Sequence, residues 1–125
     1  MSNPKYEQLV IAHPLSLSRV TCGIYYPDGW NYLVGNLCDI VERQVGKLSP
    51  EMQDKVHVVQ IKSKFGGLRY YMNQSTPHIE GAIEMAESLS FKICETCGNQ
   101  GAMKQIGNWI ATLCDSCHQK ELDKK

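Results

Sequence analysis

The chain has 125 residues, in which 13 Lys and Arg balance 13 Asp and Glu, so its formal net charge is zero. With 42% hydrophobic and 21% charged residues, its composition is typical of a single globular domain. The neutral balance excludes a general electrostatic attraction to nucleic acid or to an anionic membrane, so any such binding needs a local patch of charge.

The sequence carries no feature of a membrane or secreted protein. Its longest apolar runs, such as residues 9–12, fall far short of the roughly 20 residues that span a bilayer. Residues 1–7 lack an apolar core with a small-residue cleavage site. We therefore expect no membrane partner and a location in a reducing cytoplasm, where cysteines stay reduced and available to a metal.

The predicted elements begin with an irregular stretch. Residues 1–27 mix short apolar pieces with prolines and show weak periodicity, so they are expected to be irregular or to form short strands. A helix follows, because apolar residues recur at helical spacing over residues 30–45. Asp28 is predicted to cap this helix and Gly46 to end it in a left-handed conformation. Ser49-Pro50 then predicts a short helical turn.

A hairpin and a second helix are predicted next. Residues 56–72 are rich in β-branched and aromatic residues on both sides of Gly66-Gly67, which indicates two strands joined at the glycines. Thr76-Pro77 has the pattern of a helix start, and an apolar stripe follows it. The glutamates of this helix are expected to form a solvated face: Glu80, Glu84 and Glu87.

Two Cys-x-x-Cys pairs, separated by residues 98–113, form the most specific motif of the sequence. This spacing is within the range of zinc ribbons. Residues 103–106 and 109–113 are predicted to pair as strands across Gly107-Asn108 and to carry the second pair of cysteines back to the first. The predicted ligands of Zn²⁺ are the thiolates of Cys94, Cys97, Cys114 and Cys117.

The predicted zinc site is structural. Four protein ligands fill a tetrahedral shell and leave no position for an activated water. A unit of about 25 residues buries too little apolar surface to fold alone, so the metal supplies most of its stability. Two alternatives remain open: a redox Cys-x-x-Cys pair, and His118 in place of Cys117 as the fourth ligand. The isolated Cys22 and Cys38 are interpreted as buried, inert thiols.

Together the elements predict an α+β fold, in which two helices pack on a small antiparallel sheet and a Cys₄ zinc-ribbon hairpin lies at the C-terminal end. Residues 1–92 are assigned to the core, including the irregular stretch over residues 1–27. Residues 93–118 are assigned to a zinc ribbon packed on that core. Residues 119–125 are expected to be a charged, frayed tail.

The predicted hairpin concentrates positive charge. The charged residues between positions 55 and 72 are all cations, and side chains on a strand alternate, so Lys62 and Lys64 share one face. Cations beside aromatic rings suit nucleic acid, although a half-buried sheet with solvated lysines explains the same pattern. The candidate binding residues are Lys62, Lys64, Arg69, Tyr70 and Tyr71 of the hairpin, with Trp109 of the predicted ribbon.

No HExxH, GxSxG or phosphate-loop motif occurs in the chain, so the sequence favours a non-enzymatic binding module. A protein partner is the preferred prediction, because neutral charge and an aromatic such as Trp109 suit a protein surface. The alternative is a nucleic-acid-binding regulatory protein that uses the basic hairpin of Lys62, Lys64 and Arg69. The sequence leaves the identity of the partner and the oligomeric state open.

Three blocks of sequence point to a family: Asp28-Gly29-Trp30 leading to Leu37-Cys38, residues 60–71 (QIKSKFGGLRYY), and Cys94-x-x-Cys97-Gly98 with residues 109–114 (WIATLC). Over residues 28–118 the chain resembles an uncharacterised family of small proteins from bacteriophages, prophages and bacteria, in which a KFGxLR(F/Y)Y segment precedes a zinc ribbon. The resemblance implies a phage or prophage accessory protein in the host cytoplasm that binds a host protein, including components of host defence. Such proteins often end the second cysteine pair with histidine, where this chain has Cys117 followed by His118.

Overall fold

A computed structural model describes residues 3–124 of the chain. The predicted α+β class is confirmed: helices pack on a three-stranded sheet, and a separate two-stranded hairpin follows near the C-terminus. In chain order the elements are α1 (Pro4–Ala12), α2 (Pro14–Leu17), β1 (Ile24–Tyr25), a 3₁₀ turn (Asp28–Trp30), α3 (Asn31–Gly46), α4 (Pro50–Gln53), β2 (Val58–Lys64), β3 (Gly67–Met72), α5 (Pro77–Ser90), β4 (Ala102–Ile106), β5 (Trp109–Leu113) and α6 (Asp115–Asp123).

The prediction of irregular structure or short strands at the N-terminus is wrong over most of residues 3–27. Helices α1 and α2 both begin at prolines, and Asn3 caps α1 by accepting a hydrogen bond from the backbone N–H of Lys5 at 2.9 Å. None of the residues in α1 is fully buried. The helix therefore lacks the wide apolar stripe from which helical periodicity is recognised in a sequence.

Helix α3 binds the α1–α2 corner through two carboxylates. Glu42 accepts hydrogen bonds from the backbone N–H groups of Leu15 and Ser16, both at 2.9 Å, and from the Ser16 hydroxyl at 2.7 Å. One turn earlier, Asp39 lies 2.6 Å from Nε2 of the buried His13. These contacts fix the N-terminal helices on the core although α1 itself buries little.

Both predicted ends of α3 are wrong. Asp28 does not cap the helix but accepts a hydrogen bond from the Lys5 ammonium at 2.7 Å. Gly46 is the last helical residue, and Lys47 continues in a right-handed conformation. Because the chain runs on almost directly into α4, no left-handed residue is needed to reverse its direction.

The predicted starts of α4 and α5 are confirmed. The Ser49 hydroxyl accepts from the Met52 N–H at 3.3 Å, and the Thr76 hydroxyl accepts from the Ile79 N–H at 3.2 Å. Each cap satisfies a backbone donor that the first turn of a helix leaves free.

Loss of the cap on α5 has a measurable cost. Thr76→Ala is expected to lower the free energy of unfolding by about 1 kcal/mol, because the Ile79 N–H loses its acceptor. Ser49→Ala is the matched control and should cost less, because α4 has only 4 residues. Urea unfolding followed by far-UV circular dichroism measures both changes. An equal or larger loss in Ser49→Ala would contradict this explanation.

The main sheet is mixed rather than purely antiparallel. Strands β2 and β3 form the predicted antiparallel hairpin, and β1 pairs with β2 in parallel. The turn residues are Phe65-Gly66 and not Gly66-Gly67, because Lys64 pairs directly with Gly67. Phe65 and Gly66 have φ of 53° and 81°, and both values are left-handed as a two-residue turn of this kind requires. A Cβ at Gly67 would lie 2.3 Å from the Phe91 ring, so glycine at this position lets the ring pack directly against the β3 backbone.

Helix α5 covers the outer edge of β3 with polar groups. The Ser90 hydroxyl accepts from the Leu68 N–H at 2.8 Å, and the Glu87 carboxylate accepts from the Tyr70 N–H at 3.0 Å. The prediction that Glu87 belongs to a solvated face is therefore wrong, whereas Glu80 and Glu84 are exposed. Satisfying these edge donors prevents another strand from pairing with β3.

The main core lies between the helices and the inward face of the sheet. It includes the buried residues Trp30, Val34, Cys38 and Val41 from the α3 region, Ile61, Leu68 and Tyr70 from the sheet, and Ile79, Ile83 and Ala86 from α5. A second, smaller cluster lies in the β4–β5 region.

Hydrogen bonds between distant segments join the β4–β5 region to the core. The Trp30 indole donates to the Ile93 carbonyl at 2.9 Å, and the Gly29 N–H donates to the Glu95 carbonyl at 2.8 Å. On the other side, the Thr112 hydroxyl donates to the Gly66 carbonyl at 2.6 Å. These bonds place the turn of the β2–β3 hairpin and the turn before α3 against the same small unit.

The prediction of a frayed tail from residue 119 is wrong as far as residue 123, which α6 includes. The helix begins immediately after Cys114, whose sulfur serves as its N-cap. Residues 1, 2 and 125, which also fell under the terminal predictions, lie outside the described residues.

Candidate metal centre

Four cysteine sulfurs meet at the base of the β4–β5 hairpin. The Sγ atoms of Cys94, Cys97, Cys114 and Cys117 all lie within 4.8 Å of one another, and those of Cys97 and Cys114 are 3.6 Å apart. Zn–S bonds of about 2.3 Å in a tetrahedron place sulfurs about 3.8 Å apart. The cluster therefore has the size that one tetrahedrally coordinated ion requires.

The first pair of cysteines lies on a tight turn before β4. Gly98 has φ of 84°, and its N–H donates to the Cys94 carbonyl at 3.0 Å, which closes the turn around the two sulfurs. Only glycine adopts this left-handed conformation without strain. An isolated bridge between Ile93 and Gln100 then leads the chain into the hairpin.

The second pair lies on the first turn of α6. The Cys117 N–H donates to the Cys114 sulfur at 3.4 Å, so the helix start itself points both sulfurs inward. The register of β4 and β5, in which Ala102 pairs with Leu113, returns the second pair to the first. The Lys104 ammonium also binds the Asp115 carboxylate at 2.9 Å and connects β4 to α6.

The fourth ligand atom in the cluster is the sulfur of Cys117. Among the described residues, His118 does not belong to the group of ligand atoms that lie within 4.8 Å of one another. The alternative in which His118 replaces Cys117 is therefore not the arrangement that the structure shows. His118 Nε2 is buried and has no hydrogen-bond partner within residues 3–124.

The surroundings of the cluster shift the pKa values of Cys94 and Cys117 in opposite directions. Burial raises the pKa of Cys94, but backbone groups of Cys97, Cys114 and Thr96 outweigh it and bring the pKa down to about 6. The hydrogen bond with Cys114, together with burial, raises the pKa of Cys117 to about 12. Without a metal, the Cys94 thiol therefore ionises far more readily than the Cys117 thiol. A divalent cation is the partner that lets all four ionise together.

Exposure differs across the cluster. Cys94 and Cys117 are buried, Cys114 is half-buried and Cys97 is exposed. Ile106, Ala111 and Leu113 complete the small buried cluster with the two buried cysteines. All six cysteines, which lie within residues 3–124, are free of disulfide bonds.

The two isolated cysteines have different environments. Cys38 is buried 3.3 Å from the Tyr70 hydroxyl, and burial raises the pKa of its thiol to about 12. This agrees with the interpretation of Cys38 as an inert core residue. Cys22 is exposed, so the prediction that it is buried is wrong.

The strand register separates the predicted binding residues of the hairpin into two groups. Lys62 pairs with Arg69, and Ile61 pairs with Tyr70. Since neighbouring residues on a strand point to opposite faces, the cations lie on the outward face and Tyr70 on the inward face. Tyr70 is only 3% exposed, so its assignment to a binding surface is wrong. Tyr71, with 43% exposure, shares the outward face.

Two exposed aromatic residues beside these cations were not among the predicted binding residues. Tyr25 is 79% exposed and pairs with Lys62 across the parallel β1–β2 ladder. Phe65 is 66% exposed in the hairpin turn, with the Lys64 ammonium 5.6 Å from its ring centroid. In the sequence, alternation over Tyr25-Tyr26 indicates one outward ring, but only the parallel pairing shows where it lies. Trp109 is half exposed at the start of β5.

Comparisons of the chain with protein-family models, with curated proteins and with solved structures found no match. The resemblance to phage-associated proteins therefore stays a prediction. Within residues 3–124, no helix combines the length and apolar character needed to cross a membrane.

Proposed function

We propose that this chain is a non-catalytic binding module, in which a structural zinc ion fixes a zinc ribbon on the α+β core. The observation that carries the proposal is the convergence of the Cys94, Cys97, Cys114 and Cys117 sulfurs within 4.8 Å of one another. Soft thiolate donors in a tetrahedral set suit Zn²⁺, and four ligands from the chain leave no open position for a reacting water. The ion thus has a structural role.

The ribbon depends on this ion for its stability. Its buried cluster consists of Cys94, Ile106, Ala111, Leu113 and Cys117, so two of its members are ligands themselves. Three further apolar side chains bury too little surface to offset the conformational entropy of ordering the unit. Metal binding supplies the missing free energy.

The resemblance to phage and prophage proteins supports a host protein as the partner, encountered in the bacterial host cytoplasm and including defence components. The zero formal charge and the half-exposed Trp109 on the ribbon are consistent with a protein surface. A partner of this kind would bind a preformed face, because the ion holds the ribbon rigid before any contact is made.

Metal analysis tests the zinc centre. We expect one zinc per chain, and replacement by Co²⁺ should give the absorption of tetrahedral sulfur coordination. Removal of the metal with a strong chelator should abolish amide-exchange protection in β4 and β5 while α3 stays protected. Full protection of the hairpin without metal would contradict a structural ion, and a spectrum with a water ligand would contradict a closed site.

A further inference from the structure

The outward face of the main sheet carries a continuous row of residues across three strands. Tyr25 of β1 pairs with Lys62 of β2, and Lys62 pairs with Arg69 of β3. Lys64 lies two residues further along β2, and Tyr71 pairs with Gln60 on the same face. We call this surface the cationic sheet face; it consists of Tyr25, Gln60, Lys62, Lys64, Arg69 and Tyr71.

The two tyrosines of this face lie on a diagonal. Tyr25 and Tyr71 are two strands and two residues apart, which corresponds to roughly 12 Å in an ordinary sheet. Lys62 and Arg69 lie in the row beside this diagonal. The face thus carries two neighbouring cations beside two separate stackable rings.

The electrostatics of the face favour an anion on the β1–β2 side. None of Lys62, Lys64 and Arg69 forms an ion pair with another residue in the described part of the chain. A cleft of about 420 Å³ between β1 and β2 is lined by residues that include Tyr25, Gln60 and Lys62, and no carboxylate of residues 3–124 lines it. Acidic residues occur on the far side, where Glu80, Glu84 and Glu87 of α5 line a cleft with Arg69.

We propose that the cationic sheet face binds single-stranded nucleic acid, with bases stacked on Tyr25 and Tyr71 and phosphates bound by Lys62, Lys64 and Arg69. The proposal goes beyond the proposed function, because it assigns a nucleic-acid partner to the sheet, a surface separate from the zinc ribbon. A ring that is 79% exposed, as Tyr25 is, offers a whole face to an unpaired base. Bases in a duplex are stacked on each other and do not present that face.

The same surface suits a protein partner less well. Lysine is depleted in protein–protein interfaces, and the buried centre of such an interface is poor in charged residues. Here the centre of the face is Lys62, with Arg69 directly beside it. Phosphates are the partner that both cations bind without leaving a buried charge unpaired.

Fluorescence anisotropy of the zinc-loaded full chain tests the proposal. The probes are labelled oligo(dT) and oligo(rU) of about 12 nucleotides, with a DNA duplex of equal length as the comparison. We expect the single strands to bind more tightly than the duplex. Three phosphate contacts predict a slope of about −2 in a plot of log affinity against log salt concentration.

Matched variants separate stacking from general charge. Tyr25→Ala should weaken binding roughly 5- to 150-fold, whereas Tyr32→Ala should leave it unchanged. Tyr32 is 90% exposed on α3 and away from the sheet. Lys62→Ala should reduce the magnitude of the slope of log affinity against log salt concentration by about 0.7. Lys47 is exposed as well, so Lys47→Ala is the matched control. Circular dichroism and zinc content verify the fold of each variant.

Three results would overturn the proposal. These are absence of single-strand binding at low salt, equal losses in Tyr25→Ala and Tyr32→Ala, and binding of the duplex as tightly as the single strand. If the chain holds one zinc and folds but binds no oligonucleotide, the proposed zinc-ribbon module is supported and the nucleic-acid proposal is wrong. A protein is then the remaining candidate partner for the cationic sheet face. If the chain folds without metal yet binds single strands through Tyr25, the proposed function fails and the nucleic-acid surface stands.

Discussion

Replacing Cys94 with serine is expected to abolish stoichiometric zinc binding and to unfold the β4–β5 hairpin. Cys94 is fully buried, and its sulfur is one of the four that surround the proposed ion. Apparent binding free energies of structural zinc are about 10–16 kcal/mol in small zinc-binding peptides, which is as large as the whole stability of a small domain. A serine hydroxyl is a hard, neutral ligand and does not replace a thiolate at such a site.

The rest of the molecule should survive this substitution. The main core has its own buried residues from α3, α5 and the sheet, and none of them is a zinc ligand. It loses the Ile93 carbonyl next to the cysteine cluster as acceptor for the Trp30 indole, so its stability should fall without complete unfolding.

Zinc content after gel filtration and amide hydrogen exchange measure the two effects in Cys94→Ser. Exchange protection should disappear from β4 and β5 and persist in α3. Cys22→Ser is the matched control, because Cys22 is exposed and lies outside the sulfur cluster. A Cys94→Ser protein that keeps one tightly bound zinc and a protected hairpin would contradict the proposed centre.

The cysteine cluster was predictable because the features that bring its sulfurs together lie within short stretches of the sequence. A spacing of two residues lets one turn point two sulfurs at one point, and Gly107-Asn108 is a turn dipeptide that returns the second pair to the first. The same is true of Thr76, whose cap depends on its own backbone neighbourhood. The fourth ligand required the structure, because Cys117 and His118 are adjacent and spacing alone does not exclude either.

What the sequence did not reveal depends on contacts between distant segments. Tyr25 gains its position beside Lys62 from a parallel pairing of two residues, which leaves no periodic pattern in the chain. The N-terminal helices are held by Glu42 and Asp39 of α3 rather than by an apolar stripe of their own. The alternation rule placed the cations correctly on one face, but a choice between Tyr70 and Tyr71 needed the register.

Gly29 lies at the closest approach between the core and the proposed ribbon. Its N–H donates to the Glu95 carbonyl at 2.8 Å, and a Cβ at this position would lie 2.0 Å from the Cys94 carbonyl oxygen and 2.5 Å from the Glu95 carbonyl carbon. Gly98 approaches from the same side, since a Cβ there would lie 3.1 Å from the Gly29 carbonyl oxygen. The obstructing atoms belong to backbone, so no side-chain rotation relieves the clash.

Gly29→Ala is therefore expected to lower the free energy of unfolding of the zinc-loaded protein by about 3 kcal/mol, because the added methyl group forces the two backbones apart. Gly35→Ala is the matched control within α3. No atom of the described chain, beyond its own neighbourhood, lies within 4 Å of a Cβ there. Alanine is the better helix former, so this variant should be more stable by about 0.5–1 kcal/mol.

Trp30 reports on the same junction, because its indole donates across it to the Ile93 carbonyl. The chain has 2 tryptophans, so a Trp109→Phe background leaves Trp30 as the only one. In that background Gly29→Ala should shift Trp30 emission toward that of a more solvated indole while the zinc content stays at one per chain, since no ligand is changed. Retained metal with a displaced junction distinguishes this effect from the loss of the sulfur site in Cys94→Ser. Equal stability of Gly29→Ala and Gly35→Ala would contradict close packing of the segment at Cys94 and Glu95 on the turn before α3.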